Sequence, residues 1–70
     1  MGKKIKITVN GFEEKVPEKS KISFLIEHFN EKDPHLIVEQ NGRFVHPRNY
    51  SITKVLPNDR VEFICPNFGG

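Results

Sequence analysis

Residues 4–16 read Lys4-Ile5-Lys6-Ile7-Thr8-Val9-Asn10-Gly11-Phe12-Glu13-Glu14-Lys15-Val16. Ile5, Ile7 and Val9 alternate with polar residues at period two, so they share one face of a half-buried strand. Asn10-Gly11 follows, a pair that tolerates the positive φ a tight hairpin turn demands. Phe12 to Val16 therefore reads as the returning strand, ended by Pro17, which cannot donate to a ladder. Glu14 falls on the face of Phe12 and Val16. Either this strand bulges or its face is only partly buried there.

Beyond the hairpin, Ile22, Leu25, Ile26 and Phe29 stand at i, i+3, i+4 and i+7, one apolar stripe on a helix of two or three turns. Ser20 or Ser23 could cap its start. Asp33-Pro34 is expected to close the segment, because the residue before proline is pushed out of helical geometry. Phe24 lies off the stripe and is expected to cover a core edge rather than face a partner. Leu36-Ile37-Val38 suggests a strand covered on one face and partly on the other. Asn41-Gly42 repeats the hairpin signal, and Arg43 to Val45 returns. An irregular stretch from Pro47 to Lys54 carries Tyr50 and Ile52. Val55-Leu56 then leads into the turn Pro57-Asn58-Asp59. Arg60 to Cys65 alternates again, placing Val61, Phe63 and Cys65 inward and Ile64 outward, with Pro66 as its end. The order is hairpin, helix, hairpin, connection, strand: an α+β fold with one short helix on one face of the sheet.

Composition bounds the chemistry. The 70 residues allow one domain, and 36 % apolar residues give a small core. One cysteine forms no internal disulfide, which suits a reducing compartment and points to a cytoplasmic location. No apolar stretch approaches the ~20 residues that span a bilayer. Eleven basic against nine acidic residues give a net charge of +2, a weak bias. Lys3, Lys4 and Lys6 are the densest basic group, but their alternation with Ile5 and Ile7 is that of a strand's wet side. A nucleic-acid partner would need a basic stripe with stacking aromatics.

Side-chain catalysis finds little support. His28, His35, His46 and Cys65 lack the close spacing of structural zinc sites, so no metal is expected. Cys65 reads as a buried structural thiol, its alternative being a nucleophile. Ser20, Ser23 and Ser51 have no context for a hydrolytic triad. No glycine loop to cradle phosphates is present. No catalytic residue is assigned.

Asn67-Phe68-Gly69-Gly70 end the sequence. Two glycines after a proline-ended strand make a thread without Cβ atoms, able to enter a narrow tunnel with an unhindered carboxylate. Ordinary chain ends are also small and polar.

In this setting the chain resembles the ubiquitin-like β-grasp sulfur carriers of the ThiS/MoaD family, and within them the thiamine-pathway ThiS carriers. The likeness runs from Ile5 to Gly70. It rests on the Ile-x-Val-Asn-Gly of Ile7 to Gly11, on Val16-Pro17, and on Ile22-x-x-Leu25-Ile26. It continues through Asn41-Gly42, Val45 with Pro47-Arg48 and Tyr50, Val55-Leu56, Asp59-x-Val61-Glu62 and the terminal Gly69-Gly70. His46 and Pro57-Asn58-Asp59 depart from the family's usual pattern.

The resemblance implies a mixed four- to five-stranded sheet with one short helix. It divides the chain into a β-grasp domain over 1–66 and a flexible C-terminal tail over 67–70. It implies that the Gly70 carboxylate is adenylated by a ThiF-like adenylyltransferase using ATP and Mg, then converted to a thiocarboxylate with sulfur from a persulfide donor. That thiocarboxylate would serve a ThiG-like thiazole synthase. Gly69 would give reach, Phe68 would dock at the tunnel mouth, and Ile64 would either join an apolar partner patch or stand as a lone exposed residue. The carrier would bind no cofactor and be monomeric when free, without nucleic-acid or membrane partners. Two other readings stay open: a MoaD-like molybdopterin synthase small subunit or carrier for another sulfur pathway, and a ubiquitin-like interaction module whose C-terminus is never activated.

Overall fold

The computed structural model describes residues 2–66. Strands β1 (Lys4–Val9) and β2 (Phe12–Pro17) form the first hairpin, and α1 (Ile22–His28) follows. Strands β3 (Ile37–Gln40) and β4 (Arg43–Val45) form the second hairpin. A 3-10 turn (Pro47–Asn49) and a long connection then lead to β5 (Arg60–Ile64). The sheet order is β2-β1-β5-β3-β4, with β5 parallel to β1 and antiparallel to β3. The last strand in sequence is thus the central one in space, holding the two hairpins together.

Both Asn-Gly pairs turn as their chemistry requires. Asn10 and Gly11 have φ of 52° and 85°, Asn41 and Gly42 of 54° and 81°, the doubly positive pattern of the turn that matches strand twist. The asparagines also reach across to β5. The Phe63 N–H donates to Asn10 Oδ1 at 2.8 Å, and the Arg60 N–H donates to Asn41 Oδ1 at 2.9 Å. One residue type therefore serves both the bend and the strand inserted between the hairpins.

Ile7, Val9, Val16, Val38, Val45, Val61 and Phe63 of the sheet pack against Ile22 and Leu25 of the helix, with Val55 of the connection completing the core. The β1–β2 register runs without a bulge, pairing Ile7 with Glu14 and Val9 with Phe12. Phe12 is 71 % exposed, so the inner face is simply uncovered toward the hairpin tip, and Glu14 is only half-buried there.

The helix departs from expectation at both ends. Neither serine caps it: Lys21 is the N-cap without a side-chain hydrogen bond, and the Ser20 hydroxyl donates instead to the Pro17 carbonyl. Two of the free N–H groups of the first turn are met by the connection, Ile22 donating to Thr53 O and Ser23 to Tyr50 O, both at 2.9 Å. The helix also stops before Asp33-Pro34. Asn30 takes a φ of 61°, its N–H donates to Glu27 O, and that of Glu31 donates to Ile26 O. That pair of bonds is a Schellman closure, in which asparagine replaces the usual glycine. Phe24 follows Ile22 by two residues, about 200° around the helix. It is therefore exposed rather than covering a core edge, and it stacks on His28 one turn along, ring centroids 5.3 Å apart.

Candidate functional site

The sheet buries one face under the helix and leaves the other uncovered. Register places Lys4, Lys6 and Thr8 of β1, Glu13 and Lys15 of β2, Arg60, Glu62 and Ile64 of β5, Ile37 and Glu39 of β3 and Phe44 of β4 on that open face. Near the end of β5 it carries an apolar cluster. Ile64 pairs with Ile37 across the ladder, Phe44 opposite Glu39 is 56 % exposed, and the rings of Phe44 and His46 meet edge-on at 5.2 Å. Ile64, 37 % exposed, is therefore a member of a cluster and not an isolated surface residue. Alternation along β5 gave the direction of Ile64; its neighbours came from strand order, which no local pattern encodes.

Cys65 corrects the inward placement. β5 ends at Ile64, so the alternation stops one residue before the cysteine, which is exposed. Its Sγ lies 3.9 Å from Glu31 Oε1. Local desolvation, together with the negative charges of Asp33 and Glu31, holds the thiol above its usual titration range, which disfavours the thiolate.

Asp59 is the buried carboxylate, 8 % exposed. Gln40 Nε2 and the Leu56 N–H donate to its Oδ2 at 2.8 and 2.9 Å, and Asn41 Nδ2 donates to Oδ1 at 3.0 Å. Burial alone would raise its pKa, but these three donors outweigh that and hold it below the ordinary carboxylate range. Asp59 fastens the turn before β5 to the tip of the second hairpin. Tyr50, packed against the core, has its phenol pushed up by burial.

Among the described residues no group of three histidine, cysteine or acidic side chains could hold a metal ion. Two grooves, of about 540 and 660 Å³, lie beside the helix start around Phe24 and beside the second hairpin around Arg43 and Asn49. Neither is lined by residues of β5. Phe68, Gly69 and Gly70 lie outside the described residues. Among the described residues no helix is long and apolar enough to cross a membrane.

A mixed sheet of order β2-β1-β5-β3-β4 closed over one short helix defines a ubiquitin-like β-grasp protein, here one with an apolar cluster on the open face at the end of its central strand. The ThiS family model matches residues 1–70, and the chain belongs to the ThiS family. The crystal structure of the thiamine biosynthesis protein ThiS from Geobacter metallireducens is similar at a TM-score of 0.83 and 28 % identity, covering 94 % of this chain and 100 % of that one. No curated protein sequence is significantly similar.

Proposed function

We propose that this protein is a sulfur carrier of thiamine biosynthesis, delivering sulfur for the thiazole from a thiocarboxylate at Gly70. The observation that carries the reading is the family match over the full 1–70, which takes in the terminal Gly69-Gly70. The similarity to a thiamine biosynthesis protein over nearly the whole chain supports it.

The chemistry is that of a poor electrophile made reactive. A carboxylate delocalises its charge and would have to expel oxide. In the proposed sequence a Gly70 carboxylate oxygen attacks the α-phosphorus of Mg-ATP in a ThiF-like adenylyltransferase, and pyrophosphate leaves. The terminal sulfur of a persulfide then attacks the Gly70 carbonyl carbon and AMP leaves. A thiol cleaves the resulting sulfur–sulfur bond, leaving the thiocarboxylate on Gly70 and a disulfide behind. A ThiG-like thiazole synthase then accepts the sulfur.

The carrier's own residues supply reach and address rather than catalysis. Gly69 and Gly70 pass a narrow tunnel, Phe68 contacts its mouth, and Ile64 belongs to the docking cluster. ATP and magnesium are substrates of the partner, and the carrier works in the cytoplasm as a monomeric 1–66 domain with the 67–70 tail.

Mass spectrometry of the C-terminal peptide, from protein isolated from its native cells, tests this. Sulfur in place of oxygen adds about 16 Da, nearly the mass of a Met1 or Cys65 oxidation, so the shift must be localised to Gly70 and confirmed by alkylation there. A Gly70 that stays a carboxylate, even with ATP and a competent activating enzyme, would leave a docking module in place of a carrier.

A further inference from the structure

The two Asn-Gly turns share a backbone and differ in what holds the asparagine. Both pairs are exposed, with φ of 52° and 85° at Asn10-Gly11 and of 54° and 81° at Asn41-Gly42. Among the described residues neither Gly11 nor Gly42 donates a hydrogen bond from its N–H, and open space stands where a Cβ would be. Such a pair carries a nucleophile beside its own electrophile. Once solvent base takes its proton, the glycine nitrogen can attack the asparagine Cγ, and the side-chain nitrogen leaves as ammonia. Water then opens the five-membered imide, at one carbonyl to aspartate and at the other to isoaspartate. The ring closes only when the asparagine ψ rotates out of the hairpin turn, so the rate in the folded chain follows local opening.

Opening meets unequal resistance at the two turns. Asn10 is held by its N–H on Val61 O at 2.9 Å and by the Phe63 N–H on its Oδ1 at 2.8 Å. Among the described residues its Nδ2, the leaving nitrogen, has no partner. Asn41 is held by its N–H on Arg60 O at 2.7 Å and by the Arg60 N–H on its Oδ1 at 2.9 Å. Its Nδ2 is tied as well, donating to Asp59 Oδ1 at 3.0 Å. Asp59 is buried, so opening the second turn strips a donor from a desolvated carboxylate. The products differ too. In Asn10→Asp the new carboxylate still accepts the Phe63 N–H, whereas in Asn41→Asp it stands against the carboxylate of Asp59.

We propose that Asn10-Gly11 is the site at which the folded protein deamidates spontaneously, and that the Asn41–Asp59 pair protects Asn41-Gly42 from the same reaction. The tip of the first hairpin ages first, while the join between the second hairpin and the turn before β5 is kept.

The full chain is incubated in mildly alkaline buffer, folded and in urea. Conversion at each site is followed by peptide mass spectrometry, with isoaspartate detected by enzymatic methylation. The urea sample gives the intrinsic ratio of the Asn10 rate to the Asn41 rate. Folding should raise that ratio at least about tenfold. A ratio unchanged or lowered on folding overturns the proposal, as does an Asn10 that stays intact while the urea sample converts. Variants test the protecting pair separately. Asn10→Asp should melt as the wild type does, and Asn41→Asp should melt lower at neutral pH. In Asn41→Asp/Asp59→Asn donor and acceptor change places. The amide oxygen then accepts from Gln40 and Leu56, and its nitrogen donates to the carboxylate across the turn. This exchange should restore most of the melting temperature lost in Asn41→Asp. A double variant that melts no higher than Asn41→Asp means that the pair is not what holds the second turn.

Discussion

A few side chains do more for this fold than their size suggests, and Asp59 is the foremost. Its carboxylate takes three N–H donors from the turn before β5 and from the second hairpin. In Asp59→Asn an amide N–H must face one of those donors, so stability at neutral pH should fall by about 1–3 kcal/mol in urea denaturation. The pH dependence has a definite sign. The folded carboxyl titrates below its unfolded value of about 3.9, so its contribution is complete above that value and is lost as pH falls through the folded one. The acid limb of the stability curve should therefore be shallower in Asp59→Asn than in the wild type. Cys65 gives a second test. Its thiol is held protonated by local desolvation and by Asp33 and Glu31, so alkylation should be slow at neutral pH. In Glu31→Gln/Asp33→Asn the midpoint of the rate-against-pH curve should move down, with the fold's melting temperature as the control for damage. No shift in that midpoint would mean the carboxylates do not govern the thiol.

The helix is the element whose existence depends most on its surroundings. Seven residues with no side-chain cap are too short to be stable alone, because nucleation outweighs so few hydrogen bonds. A peptide spanning 20–32 should show no helical circular dichroism in water. In the protein, the same helix is held by the carbonyls of Tyr50 and Thr53 at one end and by the left-handed Asn30 at the other. Asn30→Ala should cost about 1–2 kcal/mol, because alanine keeps the Cβ at positive φ without asparagine's local polar compensation, while Asn30→Gly, with no Cβ, should be near neutral. The first hairpin separates the same two effects differently. Asn10→Gly keeps the turn but loses the bond from Phe63 and should cost about 1 kcal/mol. Asn10→Ala loses both and should cost more. Equal losses would mean that only the cross-strand bond matters.

At the scale of the whole molecule, stability and function should separate. The packed core lies within residues 7–63 and the proposed chemistry at Gly70. Deleting Gly70 should leave the melting temperature unchanged and docking largely intact while abolishing adenylation. If that deletion instead unfolds the domain, the division between folded body and reactive end is wrong. β5 is the opposite case: pairing with both β1 and β3, it joins two hairpins that otherwise have no common ladder. Breaking it by Val61→Ala opens a cavity at a fully buried position, and cooperative unfolding should weaken globally.

Local chemistry alone determined a great deal of this protein. Period-two alternation set β1 and the inward side of β5, the two Asn-Gly pairs set both hairpin turns, and the i, i+3, i+4 stripe set the buried face of α1. These signals act over a few residues, where sterics and side-chain direction are fixed by the backbone. The ordered motifs from Ile7 to Gly70 carried the family. What the sequence misplaced, apart from the exposed Phe24, were ends: the helix closing at Asn30 rather than before Pro34, the absent serine cap, and β5 stopping before Cys65. The helix start is set by partners elsewhere in the chain, the carbonyls of Tyr50 and Thr53, whereas its end closes locally, Asn30 and Glu31 donating to Glu27 and Ile26. The open face was likewise beyond local reading. Ile37, Glu39, Phe44, Glu62 and Ile64 become one surface only because β5, last in sequence, enters the middle of the sheet.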